Sequence, residues 1–496
     1  MMHKLLSLWV ILFLCSCTSD FSESEIKNAP NFIIIYVDDM GYSDFGPLSD
    51  GKIKTPNLDI LAKGGQTWTN FYSASSVCSP SRAAILTGEL PISTGLYGDQ
   101  IGVFFPSSNS GIPDQIETLP EALKEADYAT GLFGKWHLGD KPEYYPTNHG
   151  FDEWIGIPYS NDMNWQVDQI TSSNVFIPLT QAGQKWASVS DTLRKRALNP
   201  QSSDWDVPLI RSKNLSDSEI TYKIIERPLN QNMSTQYFTK YSVDFINKSV
   251  AEEKNFFLFI AHSMPHVPLF RSENFANKST KGIYGDVIEE IDWSVGQILK
   301  TIHSLGITET TYIIFTSDNG PWLTYGSHAG SSYPLKHGKG TSFEGGTRVP
   351  TIISGPDIYN GVISELGVQT DLFNTILGLA KLEPRLHLKN SFNLSSVMRH
   401  KNKSPRDFVP FFVGSELRAF RLNDHKIHFV TQGAFGNPPA RTVHSPPLVF
   451  NLSENIGEDF SKKIENPEII NRLSNAAQNF ERSIIKSKSI FDNQYE

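Results

Sequence analysis

Four apolar runs constrain this chain most: NFIIIYV at 31–37, NFFLFIA at 255–261, TYIIFTS at 311–317 and VPTIIS at 349–354. A strand with one wet face alternates apolar and polar residues. Phe32 to Val37 and Tyr312 to Phe315 do not, so both faces of those strands must be covered. Such strands alternating with helical patterns predict an α/β layer architecture, helices on both sides of a sheet.

The helical patterns lie between the runs. TPNLDILAKGG opens with Pro56 in its first turn and stops at Gly64 and Gly65, TLPEALKEADY is similar, and YGDVIEEIDWSVGQILKTIHSLG is long and amphipathic. TDLFNTILGLAKL is the last helix of the main region. The stretch from about 160 to 235 has no sustained period and reads as insertions and loops around a cleft. Beyond residue 385, the pieces FVPFFVG, KIHFVTQG and PPLVFNL, followed by a polar helix from about Pro467 to Lys486, predict a smaller domain with a short antiparallel sheet.

The N-terminus carries His3 and Lys4, then an apolar run from Leu5 to Leu14, too short for a permanent membrane helix and suited to a secretion signal. Leu14-Cys15-Ser16-Cys17 resembles a bacterial lipobox, cleaved before Cys17 and lipidated there. The expected layout is a signal peptide at 1–17, a polar tether at 18–30, a catalytic domain at 31–384 and a C-terminal subdomain at 385–496. That layout implies an exported bacterial lipoprotein, periplasmic or anchored at the outer membrane or cell surface. A formal net charge of -9 argues against nucleic acid as partner. Of three cysteines, Cys15 leaves with the signal and Cys17 carries lipid, so Cys78 stands alone in an oxidising compartment.

Cys78 opens the stretch CSPSRAAILTG, which reads as a helix start with Pro80 in the first turn and Arg82 one turn in. A helix N-terminus lowers a thiol's pKa and suits an anion, so a thiol nucleophile paired with histidine is one reading. Hard oxygen ligands gather elsewhere. Asp38 and Asp39 close the first strand, while Asp318 and Asn319 close a later one, and strand ends in open α/β sheets converge on one crevice. Oxygen donors select calcium or magnesium. Lys135 and His137 in GKWHLGD, His262 and His266 in AHSMPH, and Lys339 in HGKGTSFEGG add groups for a compact anion. Pro265 excludes a zinc-type helical histidine pair.

CSPSRAAILTG resembles the signature of the type I, formylglycine-dependent sulfatases, C-x-P-S-R followed by L-T-G. TPNLDILAKGG, GKWHLG, SDNG, GKGTSFEGGTRVP and TDLFNTIL follow in the family's order, and GIPYSNDM, HFVTQG and HSPPLVFNLSENIGEDF are similar to the arylsulfatase A and N-acetylgalactosamine-6-sulfatase branch. The resemblance implies an alkaline-phosphatase-like fold: a large mixed, mostly parallel sheet flanked by helices, with a smaller C-terminal domain. It implies oxidation of Cys78 to formylglycine (3-oxoalanine) by a formylglycine-generating or sulfatase-maturing enzyme. Calcium would be held by Asp38, Asp39, Asp318, Asn319 and the modified Cys78. Lys135, Lys339 and His266 would surround the sulfate, with His137 as a base and Arg82 in support. Ser160 would contact the sulfate and His444 the substrate, while His262 stays in the core. The implied reaction is removal of sulfate from a sulfated glycan of galactose type. Two rivals share the fold: a phosphonate or phosphate monoester hydrolase, and an anchored glycan-binding homologue without catalysis.

Overall fold

The computed structural model describes residues 29–167, 170–171, 192–216 and 219–495. The lipobox and almost all of the expected tether lie outside the described residues.

The runs predicted to be buried strands form the middle of a ten-stranded sheet, in the order Gly361–Ile363, Gln66–Trp68, Thr351–Ser354, Thr311–Ser317, Asn31–Val37, Phe256–Ala261, Ala129–Lys135, Glu153–Ile157, Leu209–Ser216, Glu219–Glu226. From Thr311–Ser317 to Glu153–Ile157 the pairing is parallel, and Thr351–Ser354 and the Leu209–Glu226 hairpin add antiparallel flanks. Phe32, Ile34 and Tyr36 enter one core with residues of the helices Cys78–Thr87, Leu119–Lys124 and Asp371–Leu379. Ile33, Ile35 and Val37 enter the opposite core with Pro56–Lys63, Ser234–Ala251 and Gly282–Ser304. The period-2 alternation of a strand thus feeds two apolar layers, which is why Phe32 to Val37 carry no apolar-polar alternation. Truncating a fully buried residue such as Ile34 to alanine costs about 2–5 kcal/mol.

The region read as irregular loops corrects that reading in part. Leu209–Ser216 and Glu219–Glu226 form a hairpin that extends the main sheet, and its outer strand is exposed along nearly its whole length. Exposure on both faces removes the alternation that would have marked it.

The C-terminal region is a four-stranded antiparallel sheet, Phe408–Val413, Glu416–Leu422, His425–Thr431 and Thr442–Asn451, covered by the helix Pro467–Ser483 through Leu473 and Ala477. The last segment then returns to the main region. Phe491 packs on Phe104 at 4.4 Å, Gln494 accepts from the Phe105 N–H through Oε1, and Asp492 accepts from the amides of Asp99, Gln100 and Ile101.

Candidate functional site

Parallel strands deliver their carboxyl ends to one edge of the sheet, and the residues following those ends are the ones singled out for chemistry. Backbone hydrogen bonds lock the turns together. The Asp38 N–H donates to Met264 C=O, and the Asp318 N–H to Val37 C=O. Asp39 adopts φ +64° and donates its N–H to Asp318 Oδ1 at 3.1 Å, while the Met40 N–H donates to Ser317 Oγ. Cys78 begins the helix Cys78–Thr87, whose end is set by Gly88 in the left-handed region at φ +68°, where glycine has no Cβ to clash.

Ligand-capable atoms of Asp38, Asp39, Cys78 and His266 all lie within 4.8 Å of one another, and all four residues are buried. Lys339 Nζ is 2.7 Å from Asp39 Oδ1 and 3.3 Å from Cys78 Sγ. Lys135 Nζ donates to Asp38 Oδ2 and, at 3.0 Å, to Ser160 Oγ. Arg82 binds Asp318 at 3.0 Å, lies 3.4 Å from Asp38 and donates to the Lys135 carbonyl. Asn319 Nδ2 donates to Asp39 Oδ1, whereas Asn319 Oδ1 is buried and meets no donor among the described residues. Asp38, Asp39 and Asp318 thus face Arg82, Lys135 and Lys339.

The electrostatics are divided. Burial alone would raise the Asp38 carboxyl, but Lys135, His266, Arg82 and Lys339 outweigh it and hold the group well below the ordinary range. Burial, and then Asp38, push Asp318 up to about 7. Burial first and Lys135 and Arg82 next hold His137 well below its usual value, so its ring is neutral. His137 Nε2 donates to the Phe104 carbonyl at 2.9 Å, which leaves the buried Nδ1 a lone pair without a partner among the described residues. The expectation of an acidified thiol is overturned. Burial and Asp38 push the Cys78 thiol far above its ordinary value and outweigh its place at the helix start, so the thiolate reading fails here.

The structure brings together Asp38, Asp39, Cys78, Arg82, Lys135, Ser160, His266, Asp318, Asn319 and Lys339, with the neutral His137 ring near enough to feel the charges of Lys135 and Arg82. His262 lies in the core, donating to or accepting from Ser294 Oγ through Nε2. His444 Nε2 shares a hydrogen bond with Thr431 Oγ1 on the neighbouring strand and makes no hydrogen bond or ion pair with the cluster among the described residues. Sequence reading missed Trp322, whose ring lies 4.7 Å from Lys339 Nζ and 5.4 Å from the His266 ring. Its position three residues after Asn319 was the available signal.

The donor set fits a hard dication. Carboxylates from two strand ends converge, with the Asn319 amide against Asp39 through Nδ2, and Asn319 Oδ1, buried and without a partner among the described residues, is an acceptor that an incoming cation or donor would satisfy. The arrangement is suited to an anion beside a candidate cation site, and the comparison with known proteins places the chain in a family. The family model described as Sulfatase matches residues 30–382, and that described as C-terminal region of aryl-sulfatase matches residues 404–496. Arylsulfatase A of Homo sapiens is 35% identical over 455 residues, covering 88% of this chain and 84% of the human one. N-acetylgalactosamine-6-sulfatase of Canis lupus familiaris is 34% identical over 507 residues, covering 96% and 90%. The crystal structure of PsFucS1 sulfatase from Pseudoalteromonas sp. superposes with a TM-score of 0.75 at 26% identity, covering 93% of this chain and 94% of that one. The α/β fold, the two matched regions and the buried cluster together make this chain a member of the sulfatase family, hydrolases of sulfate esters.

Proposed function

We propose that the protein removes sulfate from a sulfated glycan, using a nucleophile made from Cys78 and a calcium ion. The observation that carries this reading is the buried convergence of Asp38, Asp39, Cys78 and His266 within 4.8 Å, with Lys339 on both Asp39 and Cys78. The similarity to N-acetylgalactosamine-6-sulfatase supports a galactose-type sugar.

Asp38, Asp39, Asp318, Asn319 and the modified Cys78 would hold the calcium, which supplies charge neutralisation and orientation of a sulfate oxygen. Oxidised to formylglycine and hydrated, Cys78 supplies the attacking oxygen. Lys135, Lys339 and His266 cradle the sulfate, with Ser160 in contact through Lys135. Such preorganised donors are the main device for transfer of a group that needs alignment and charge stabilisation. His266 or Lys339 protonates the departing sugar oxygen; Lys339 carries its proton against Asp39, whereas burial and Lys339 hold the His266 ring neutral with its N–H on the Val267 carbonyl, so His266 serves only once it is itself protonated. Asp318 takes the first hydroxyl proton as that oxygen bonds to sulfur and the bond from sulfur to the sugar oxygen breaks; His137, neutral with Nδ1 bare, takes the second as the C–O bond to the transferred sulfate breaks, which releases sulfate and restores the aldehyde. Arg82 acts through Asp318 and Asp38 as a positioning residue.

A partner enzyme must oxidise Cys78, and the N-terminal pattern supports export with a lipid anchor on Cys17. The test is direct. The tryptic peptide spanning Cys78 from active protein should carry an aldehyde captured by a hydrazide, and the protein should release sulfate from defined sulfated oligosaccharides faster than it cleaves an aryl phosphonate. An unmodified thiol in active protein, or a preference for the phosphonate, would overturn the reading.

A further inference from the structure

Beside the cage lies an aromatic surface that the reaction above leaves unused. Trp322 touches both His266 and Lys339, and the Phe435 ring sits 4.8 Å from it at a tilt of 47°. Phe435 comes from the connection between His425–Thr431 and Thr442–Asn451, so the C-terminal sheet reaches the mouth of the cage. This side chain is 48% exposed and its backbone has φ +54°. A left-handed conformation is an outlier for a bulky residue and carries strain of about 1–3 kcal/mol. The loop is built to keep it so. The Gly433 N–H donates to Pro439 C=O at 2.7 Å, the Asn437 N–H to Ala434 C=O at 3.0 Å, and Asn437 Nδ2 to Thr324 Oγ1 at 2.9 Å. The loop also rests on the segment carrying Lys339, since a Cβ on Gly340 would meet Ala434 Cβ at 2.7 Å. Exposed Leu323 extends the patch. A strained, half-wet ring held against a charged cage is explained when something flat and partly apolar lies on it.

We propose that Trp322 and Phe435 form a stacking platform for the pyranose ring that bears the sulfate, an inference that rests on the glycan-desulfation reading. An ester linkage puts the sugar one oxygen from sulfur. A ring whose sulfate is held by Lys339 and His266 therefore falls beside Trp322, which packs against both. Galactose-type pyranoses present a continuous C–H face suited to an aromatic surface. The Trp322 indole N–H, buried and without a partner among the described residues, offers a donor to a ring hydroxyl.

The test compares wild type, Phe435→Ala and Phe435→Tyr on a sulfated galactose oligosaccharide, with inorganic sulfate as a probe that fills the cage alone. Phe435→Ala should raise KM roughly 3- to 10-fold, the scale of one aromatic contact, with kcat nearly constant. Phe435→Tyr should restore KM, and inhibition by inorganic sulfate should not change. An unmoved KM overturns the platform, and so does a parallel weakening of inorganic sulfate, which would mean a disturbed cage. Should wild type hydrolyse no sulfate ester, the desulfation reading fails separately. Quenching of tryptophan fluorescence by the same oligosaccharide then decides the platform, which falls if Phe435→Ala quenches like wild type.

Discussion

Lys426 Nζ stands 2.9 Å from Glu344 Oε1, with neither side chain exposed, and ties the C-terminal sheet to the segment that follows Lys339. Glu458 shares the same ammonium at 3.0 Å. Removing the cation takes a shared partner from two buried carboxylates and leaves Glu344 to Arg348 and Glu458 to His428, so Lys426→Met should destabilise the protein by about 3 kcal/mol. The denaturant midpoint measures this, and an unchanged midpoint would refute it.

The same pair sets an acid limit. Burial would raise the Glu344 carboxyl, but Lys426, Arg348 and Arg421 outweigh it and bring it from 4.5 down to about 2. A folded pKa below the unfolded one means the unfolded chain binds more protons in that interval. The associated stability, about 3 kcal/mol by linkage, is complete above about pH 4.5 and lost as pH falls toward 2. Denaturant midpoints between pH 5 and 2 should fall less steeply for Glu344→Gln than for wild type.

Chelation should abolish turnover, and calcium should restore it. Asn319→Ala deletes the orphaned acceptor and should weaken calcium binding about tenfold or more by calorimetry. Equal affinities would remove Asn319 from the site.

His137→Ala should lower kcat about 10²- to 10⁴-fold, the range of a lost general base, with KM held within a few-fold. A matched rise in KM with kcat intact would make His137 a binding group instead.

Cys17→Ala should yield a protein that no longer incorporates labelled palmitate and partitions into the aqueous phase of a detergent extract. Retained label would place the anchor elsewhere.

Much of this was legible before any coordinates. The unalternated runs at 32–37 and 312–315 are neighbours in the sheet, paired Phe32 to Tyr312 and Ile35 to Phe315, because only a doubly covered strand tolerates such a sequence. The turns after them, with Asp38, Asp39, Asp318 and Asn319, converge as the topology requires. The helix Ser234–Ala251 escaped notice for a physical reason. Its buried face is half hydroxyls: Thr239, Ser242 and Ser249 each donate to the carbonyl four residues back and pack as small, self-satisfied groups. No apolar period marks such a face. Trp322 and Phe435 escaped because their meeting depends on how the C-terminal sheet docks, over a hundred positions away in the chain. The Cys78 thiol misled because a local rule about helix starts ignores the burial that folding imposes on it and the Asp38 carboxylate brought beside it.

The returning tail has a consequence for how the molecule can be divided. Phe491 braces the ring of Phe104, whose carbonyl fixes the tautomer of His137, while Gln494 clasps the next amide. Residues at the far end of the polypeptide are therefore struts of the His137 ring, and shortening the protein by a dozen positions would loosen an imidazole some 350 residues upstream. A fragment cut after the main sheet would keep every residue of the cage and lose the brace behind His137.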